Sequence, residues 1–183
     1  MRTILFIVGS LRKGSFNRQM AHAAEKAVGS RAEVRYLDFA DLPYMNQDIE
    51  YPAPEAVARV RQTITEADGL WFFTPEYNAS YPGLLKNLLD WLSRPLLPNN
   101  YATPTPVNGK PATLCGAAGK SAAMNSIGKL IPLLEMMKLD LMLEPLTSVA
   151  LPPESWTSGD LVLNPEQEQS LQAQADAFLA KLG

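Results

Sequence analysis

The 183-residue chain contains one histidine, His22, and one cysteine, Cys115. Structural zinc sites generally use about four Cys or His ligands, and catalytic zinc sites use about three protein ligands. The composition therefore predicts that the protein binds no metal. An intramolecular disulfide is excluded, and a Ser-His-Asp or Cys-His arrangement has only His22 to use. These scarcities disfavour most chemistry that depends on side-chain acids, bases or metal ligands.

The sequence also lacks long apolar runs and a strongly basic composition. No segment approaches the roughly 20 apolar residues of a membrane-spanning helix. The apolar stretch at residues 4–8 is too short for the core of a signal peptide. A net charge of −3 is unlike the basic balance of proteins that bind nucleic acid. We therefore expect no membrane and no nucleic-acid partner, and a cytoplasmic location, where a lone thiol stays reduced.

Apolar runs of strand length alternate along the chain with helical patterns. This alternation predicts βαβ units, a mostly parallel sheet and, with right-handed crossovers, a doubly wound three-layer α/β sandwich. We expect residues 1–183 to form one domain, with its ligand beyond the carboxyl ends of the strands. Strands are predicted at residues 3–8, 32–37, 69–74, 112–115 and within 141–151, where Pro145 interrupts the run. Helices are predicted at 15–28, 54–67, 82–93, 121–138 and 165–182.

The loop after the first predicted strand combines small, polar and basic residues. Because a helix N-terminus offers free N–H groups and a partial positive charge, this loop suits an anion. Ser10, Ser15 and Asn17 add side-chain donors, and Arg12 adds a planar guanidinium that matches a phosphate. Residues 1–35 hold seven Lys or Arg and two Glu, a local excess of +5. The pattern favours a terminal phosphate monoester, with a plain helix cap and a solvated arginine as the alternative.

Two better-known nucleotide-binding motifs are each incomplete in this chain. The dinucleotide fingerprint requires a glycine where Leu11 stands. The run Gly119-Lys120-Ser121 resembles the end of a P-loop, but Leu114 occupies the position of that motif's first glycine. The sequence therefore disfavours both a Rossmann-type dinucleotide site and a nucleotide kinase.

Two further loops follow predicted strands at the same edge of the sheet. Pro75 ends the third strand, and a rigid turn there can face a flat heteroaromatic ring, with Tyr77 as a wall. Packing of Tyr77 over Pro82 is the alternative. After the fourth strand, the small residues 116–119 let the backbone approach a ring, or they form only a tight strand-to-helix turn.

Two segments together resemble the NADPH-dependent FMN reductase family, which includes flavodoxin-like quinone, azo-dye and chromate reductases. They are GSLRKGSFN at residues 9–17 and TPEYNASYPGLLKNLLDW at residues 74–91. The resemblance implies a flavodoxin-like, five-stranded parallel sheet in the order 2-1-3-4-5 with bound FMN. It implies that the FMN phosphate is held by Ser10, Arg12, Ser15, Phe16 and Asn17. It also implies that the ring and ribityl chain are bordered by Pro75, Glu76, Tyr77 and Asn78, and on the far side, mainly by backbone, by Gly116, Ala117 and Gly119.

The same resemblance implies a two-step, ping-pong oxidoreductase. NADPH or NADH reduces bound FMN, and a quinone, free flavin, azo compound or similar small molecule then accepts two electrons. FMN carries the chemistry, so no catalytic side chain is expected. A non-enzymatic electron carrier like flavodoxin and a flavin-free interaction protein are the alternatives. Family members form dimers, so the resemblance implies a homodimer, with a tetramer as the alternative. Met136 and Met137 serve either that interface or the core.

Overall fold

The centre of the molecule is a parallel sheet of six strands. A computed structural model describes residues 1–183. The strands lie in the order β2-β1-β3-β4-β5, and β6 also pairs with β4. Every pairing is parallel, which confirms the predicted flavodoxin-like order and places the carboxyl ends of the strands at one edge. The strands are β1 (Thr3–Val8), β2 (Glu33–Tyr36), β3 (Gly69–Phe73), β4 (Pro111–Ala118), β5 (Asp140–Leu141) and β6 (Ser148–Ala150).

Six α-helices connect the strands and follow the last one. The predicted limits of the C-terminal helix are confirmed. The helix starts where it does because Asn164 and Gln167 form a reciprocal capping box. None of the helices combines the length and the apolar composition that a bilayer crossing requires. The helices are α1 (Phe16–Val28), α2 (Glu55–Glu66), α3 (Gly83–Leu92), α4 (Met124–Met136), α5 (Pro153–Ser158) and α6 (Pro165–Leu182).

Both faces of the sheet are covered by helices, which makes three layers. Side chains alternate between the two faces along a strand. In β1, Leu5 and Ile7 join a cluster with α2, α3 and α4, whereas Ile4, Phe6 and Val8 join a cluster with α1 and α6. The two clusters contain 21 and 20 buried residues, so the two apolar layers are of nearly equal size. This explains why β1 and β3 are apolar throughout rather than alternating.

The predicted fifth strand is two short strands in the structure. β5 pairs with the start of β4, where Asp140 faces Pro111, and β6 pairs with its end, where Ser148 faces Gly116. The chain leaves the sheet between them, at residues 143–146, since Met142 and Thr147 still hydrogen-bond to β4. Pro145 lies in this excursion, and proline lacks the N–H that a continuous ladder requires.

The structure corrects the predicted limits of β4 and of the helix that follows. β4 continues to Ala118 because its last three residues pair with β6, so Gly116 and Ala117 are strand residues and not loop residues. α4 begins at Met124, three residues after the predicted start. The backbone at Ala122 and Ala123 has φ of 51° and 62°, a left-handed conformation that delays the helix.

Candidate functional site

A cavity of about 350 Å³ opens at the carboxyl edge of the sheet, where β1, β3, β4 and β6 end. All three predicted loops contribute to it. The cavity is lined by every predicted site residue except Asn78 and Gly116, namely Ser10, Arg12, Ser15, Phe16, Asn17, Pro75, Glu76, Tyr77, Ala117 and Gly119. It is also lined by Ala118, Leu151, Trp156 and Gly159, which the sequence analysis did not single out.

One end of the cavity is the N-terminus of α1. Ser15 is the N-cap residue, and its hydroxyl makes no capping hydrogen bond to the helix. The amide N–H groups of Phe16 and Asn17 have no acceptor within the chain. Ser10 and Ser15 are both buried against this end. Unpaired donors and the positive end of the helix dipole therefore converge on one point, which suits an anion.

Arg12 adds a full positive charge to this end of the cavity. Its guanidinium lies over the ring of Phe16, with the central carbon 4.9 Å from the ring centroid. No carboxylate of the chain pairs with it, and the first turn of α1 contains no acidic residue. The guanidinium is therefore available to a ligand, and a phosphate matches its planar set of donors.

The Asn17 side chain has a different partner from the one that the sequence analysis predicted. Its Nδ2 donates to the carbonyl oxygen of Ala117 at 2.9 Å, and its Oδ1 accepts from the N–H of Ala117 at 2.9 Å. The side chain is buried, so it joins α1 to the end of β4 instead of being a free phosphate donor. Asn17 still presents its own backbone N–H to the cavity end.

The turn after β3 forms a second wall and is anchored to α4. The buried hydroxyl of Thr74 hydrogen-bonds to Ser126 at 2.7 Å and to the carbonyl oxygen of Pro75 at 2.9 Å. The Glu76 carboxylate accepts from the backbone N–H and the side chain of Asn125, each at 3.0 Å. Hydrogen bonds to the carboxylate, of which the one from the Asn125 side chain has the largest effect, lower the pKa of Glu76 below its usual value. The charge of Glu76 thus stabilises the start of α4.

The end of β4 forms the opposite wall, mainly with backbone. The N–H groups of Glu76 and Gly119, on the two walls, have no acceptor within the chain. Gly116 lies behind the wall, where an added Cβ would overlap the carbonyl oxygen of Thr74 and lie 2.7 Å from the Cβ of Ala123. Asn78 is exposed, with φ of 53°, in the turn closed by Tyr77 and Ser80. Gly116 and Asn78 are therefore outside the cavity lining.

The cavity is completed by the segment after β6, which the sequence analysis missed. Leu151 follows β6 directly, Trp156 lies on α5, and Gly159 ends that helix. Two signals in the sequence point to this segment. Residues that follow a last parallel strand lie at the ligand edge. The Pro152-Pro153 pair and Gly159 are typical of a helix start and a helix end.

The histidine and the cysteine lie elsewhere. His22 is on α1 with its ring edge-on to Tyr36, 5.7 Å between centroids. Cys115 is fully buried and accepts a hydrogen bond from the indole of Trp71. Burial raises the pKa of the Cys115 thiol. No group of three or more His, Cys, Asp or Glu side chains comes together as a metal site. The polar and charged side chains that line the cavity are therefore Ser10, Arg12, Ser15, Asn17 and Glu76.

Two named enzymes are similar to this chain in sequence. The chain is 42% identical over 115 residues to a 2-hydroxy-1,4-benzoquinone reductase from a Burkholderia species, a match that spans 63% of this chain and 60% of that enzyme. It is 37% identical over 139 residues to a quinone reductase from Pseudomonas putida, covering 73% of this chain and 72% of the relative.

A solved structure agrees over the whole length of the chain. It is FerB, a flavoenzyme NAD(P)H:(acceptor) oxidoreductase from Paracoccus denitrificans, with a TM-score of 0.86 and 32% identity, covering 100% of this chain and 97% of that one. The family model for NADPH-dependent FMN reductases matches residues 2–150, a range that contains the first loop, the turn after β3 and the end of β4. The chain therefore belongs to the NADPH-dependent FMN reductase family.

Proposed function

We propose that this protein is an NAD(P)H-dependent oxidoreductase that holds FMN in the cavity and passes two electrons to a small acceptor such as a quinone. One observation carries the proposal in a chain of this family. The free N–H groups at the start of α1 lie at the same end of the cavity as Arg12, whose guanidinium has no carboxylate partner. The rest of the cavity is lined by small residues at the end of β4 and by Pro75 and Tyr77 on the turn after β3. Such a cavity fits a planar ring joined to a phosphate monoester.

The phosphate end is built for a dianionic terminal group. The N–H groups of Phe16 and Asn17, the hydroxyls of Ser10 and Ser15, and the Arg12 guanidinium supply the donors. A phosphate monoester carries most of two negative charges at neutral pH and accepts through three oxygens. This donor set accounts for binding of the mononucleotide.

The ring end is a slot between the turn after β3 and the end of β4. Pro75 and Tyr77 form one side, and Ala117 and Gly119 form the other. The unpaired N–H groups of Glu76 and Gly119 supply hydrogen-bond donors for the polar edge of a heteroaromatic ring. When bound, FMN supplies the two-electron redox chemistry, and the protein contributes position and electrostatics.

Glu76 contributes to the site by anchoring one of its walls, the turn after β3, to α4. Its carboxylate holds Asn125, so the turn after β3 and the start of α4 keep a constant separation. An anchored turn preorganises the backbone donor of that wall, the N–H of Glu76. We propose that the main contribution of Glu76 is to hold the turn after β3 in place, since its carboxylate already accepts hydrogen bonds from α4.

Steady-state kinetics of the full chain test the proposed function. We expect purified protein to show the visible absorption of bound FMN and to oxidise NADPH or NADH when 1,4-benzoquinone is present. Initial rates with both nicotinamides and with quinones, free FMN, azo dyes and chromate would rank donors and acceptors. Bound FMN without turnover would favour an electron carrier like flavodoxin, and failure to bind FMN would favour a flavin-free binding protein.

Three further properties belong to the same proposal. We propose that residues 1–183 act as one FMN-binding domain and that the protein works in the cytoplasm, where Cys115 stays reduced. We also propose a homodimer that uses the exposed part of α4. Met136 is 67% exposed and suits an interface, whereas Met137 is buried in the core. Sedimentation measurements of the oligomeric state of the wild type and of the Met136→Lys variant test the dimer. The same measurements would detect a tetramer.

A further inference from the structure

Trp156 is a large aromatic side chain that lines the cavity from the segment after β6. It is 60% exposed, whereas Trp71 and Trp91 are fully buried. Its indole forms a T-shaped pair with the ring of Phe16, with 5.3 Å between centroids and 79° between ring planes. This edge-to-face arrangement is one that aromatic pairs favour. The exposed indole therefore has a defined partner at the phosphate end of the cavity.

The segment that carries Trp156 is bound tightly to α1. The Gln19 side chain donates to the carbonyl oxygen of Gly159 at 2.8 Å and accepts from the N–H of Leu161 at 2.7 Å. Ser155 is fully buried, and its hydroxyl accepts from the N–H of Val162 at 3.3 Å. These contacts set the position of α5, so the Trp156 ring is presented to Phe16 from an anchored element.

Phe16 lies between Trp156 and Arg12. It is 6% exposed, with the indole in a T-shaped pair with it and the Arg12 guanidinium over its ring. The guanidinium of Arg12 donates to no carboxylate and no carbonyl oxygen of the chain. Contact with Phe16 is thus the interaction that restrains the Arg12 guanidinium before a ligand arrives.

We propose that Trp156 is a positioning residue for the phosphate of the bound cofactor, because it holds Phe16 and, through Phe16, the Arg12 guanidinium. The inference rests on the proposed FMN site. A long, free arginine side chain loses rotamer entropy when it binds a ligand, and prior stacking reduces that cost. Trp156 therefore strengthens binding of the FMN phosphate and has no effect on binding of the FMN ring.

Flavin titrations of the full chain test this role. Dissociation constants for FMN and for riboflavin, which lacks the phosphate, are measured on flavin-free wild type and on Trp156→Ala. We expect the variant to bind FMN about three- to tenfold more weakly, from the size of aromatic and cation–π contacts, and to bind riboflavin as wild type does. Trp156→Phe, which retains an aromatic ring, should recover most of the loss.

Two controls separate the positioning role from a general effect on α5. Thr157→Ala removes an exposed side chain from the same helix, away from the cavity, and should bind both flavins as wild type does. Thermal melts show whether each variant folds. If Trp156→Ala does not fold, Trp156→Leu replaces it, since leucine supplies apolar volume without an aromatic edge.

A double-mutant cycle with Arg12→Ala decides whether Trp156 acts through the guanidinium. We expect Trp156→Ala to have little further effect on FMN binding once Arg12 is absent, because the two residues act as one unit. The inference is overturned if the two losses simply add, or if riboflavin is weakened as much as FMN. It is also overturned if wild type binds FMN and Trp156→Ala is unchanged. Wild type that binds neither flavin would instead refute the proposed function.

Discussion

Asn17 and Ala117 are joined by two hydrogen bonds of 2.9 Å, although 100 positions separate them along the chain. The side chain of Asn17 pairs with both backbone polar groups of Ala117, as a neighbouring strand would. The contact joins the first turn of α1 to the end of β4, and so fixes the phosphate end of the cavity relative to the ring end.

Replacement of Asn17 by alanine should lower the free energy of unfolding by roughly 2–3 kcal/mol, because it leaves buried N–H and C=O groups unpaired. FMN affinity should fall as well, since α1 is no longer held to β4. Urea denaturation and FMN titration measure the two effects. Asn46→Ala is the matched control, because Asn46 caps an exposed turn through one hydrogen bond. Equal stability of the Asn17→Ala and Asn46→Ala variants would contradict this interpretation.

Replacement of Arg12 by alanine should weaken FMN binding by about 1.5–3 kcal/mol, the usual range for a hydrogen bond to a charged group. Binding of riboflavin should not change, since the guanidinium lies at the phosphate end. Fluorescence titration with both flavins measures the difference. Lys13→Ala removes a neighbouring charge that does not line the cavity and should leave both affinities nearly unchanged. Equal losses for FMN and riboflavin in Arg12→Ala would refute the phosphate assignment.

Gly116 and Gly128 form a pair with opposite expected effects. Gly116→Ala places a Cβ against the carbonyl oxygen of Thr74 and the Cβ of Ala123, so we expect a loss of about 1–3 kcal/mol. Gly128 lies inside α4 with open space around it, so Gly128→Ala should stabilise the protein by roughly 0.5–1 kcal/mol. Thermal denaturation at one pH compares them. A stabilised Gly116→Ala variant would show that the end of β4 has room to move.

The ion pair between Glu50 and Arg94 should make the stability of the folded protein depend on pH in the acid range. Arg94 donates to both Glu50 oxygens, at 2.7 and 3.1 Å, and this pairing lowers the pKa of the Glu50 carboxyl below its ordinary value. The unfolded chain binds the proton at higher pH than the folded chain does. The stabilisation is therefore complete above about pH 5 and declines as pH falls through the lowered pKa.

Thermal melts of wild type and Glu50→Gln between pH 7 and pH 3 measure this contribution. We expect the variant to be less stable than wild type at pH 7 by a few degrees in Tm, and the gap to narrow toward pH 3. Glu154 is exposed and has no hydrogen-bond partner, so the Glu154→Gln variant should follow the wild-type curve. A Glu50→Gln gap that stays constant with pH would mean that the ion pair does not stabilise the fold.

Most elements of the fold follow from local patterns in the sequence. β1 was predicted with its observed limits because an unbroken apolar run of strand length fits only a strand buried on both faces. α6 was also predicted with its observed limits, and Asn164, Pro165 and Gln167 are local signals that start it there. β4 was predicted too short, because glycine and alanine have no strand pattern and only pairing with β6 keeps residues 116–118 in the sheet.

The position of the cavity and most of the residues that line it follow from the sequence. Parallel strands bring the segments after Val8 and Phe73 to one edge, so the sequence order of loops predicts their meeting in space. The side-chain partners were not predictable in this way. Asn17 binds Ala117, and Glu76 binds Asn125, across separations of 100 and 49 positions. No local pattern encodes such contacts.

The sequence by itself therefore determined the layered α/β architecture, the strand order through its family resemblance, and three of the four segments that surround the cavity. These features depend on periodicity and on strand-end chemistry, which are local. The tertiary structure alone decided that Gly116 lies behind the wall, that Asn17 turns inward to β4 and that Trp156 reaches Phe16. These features depend on packing between segments far apart in the chain, where the available space and the unpaired backbone groups select the partner.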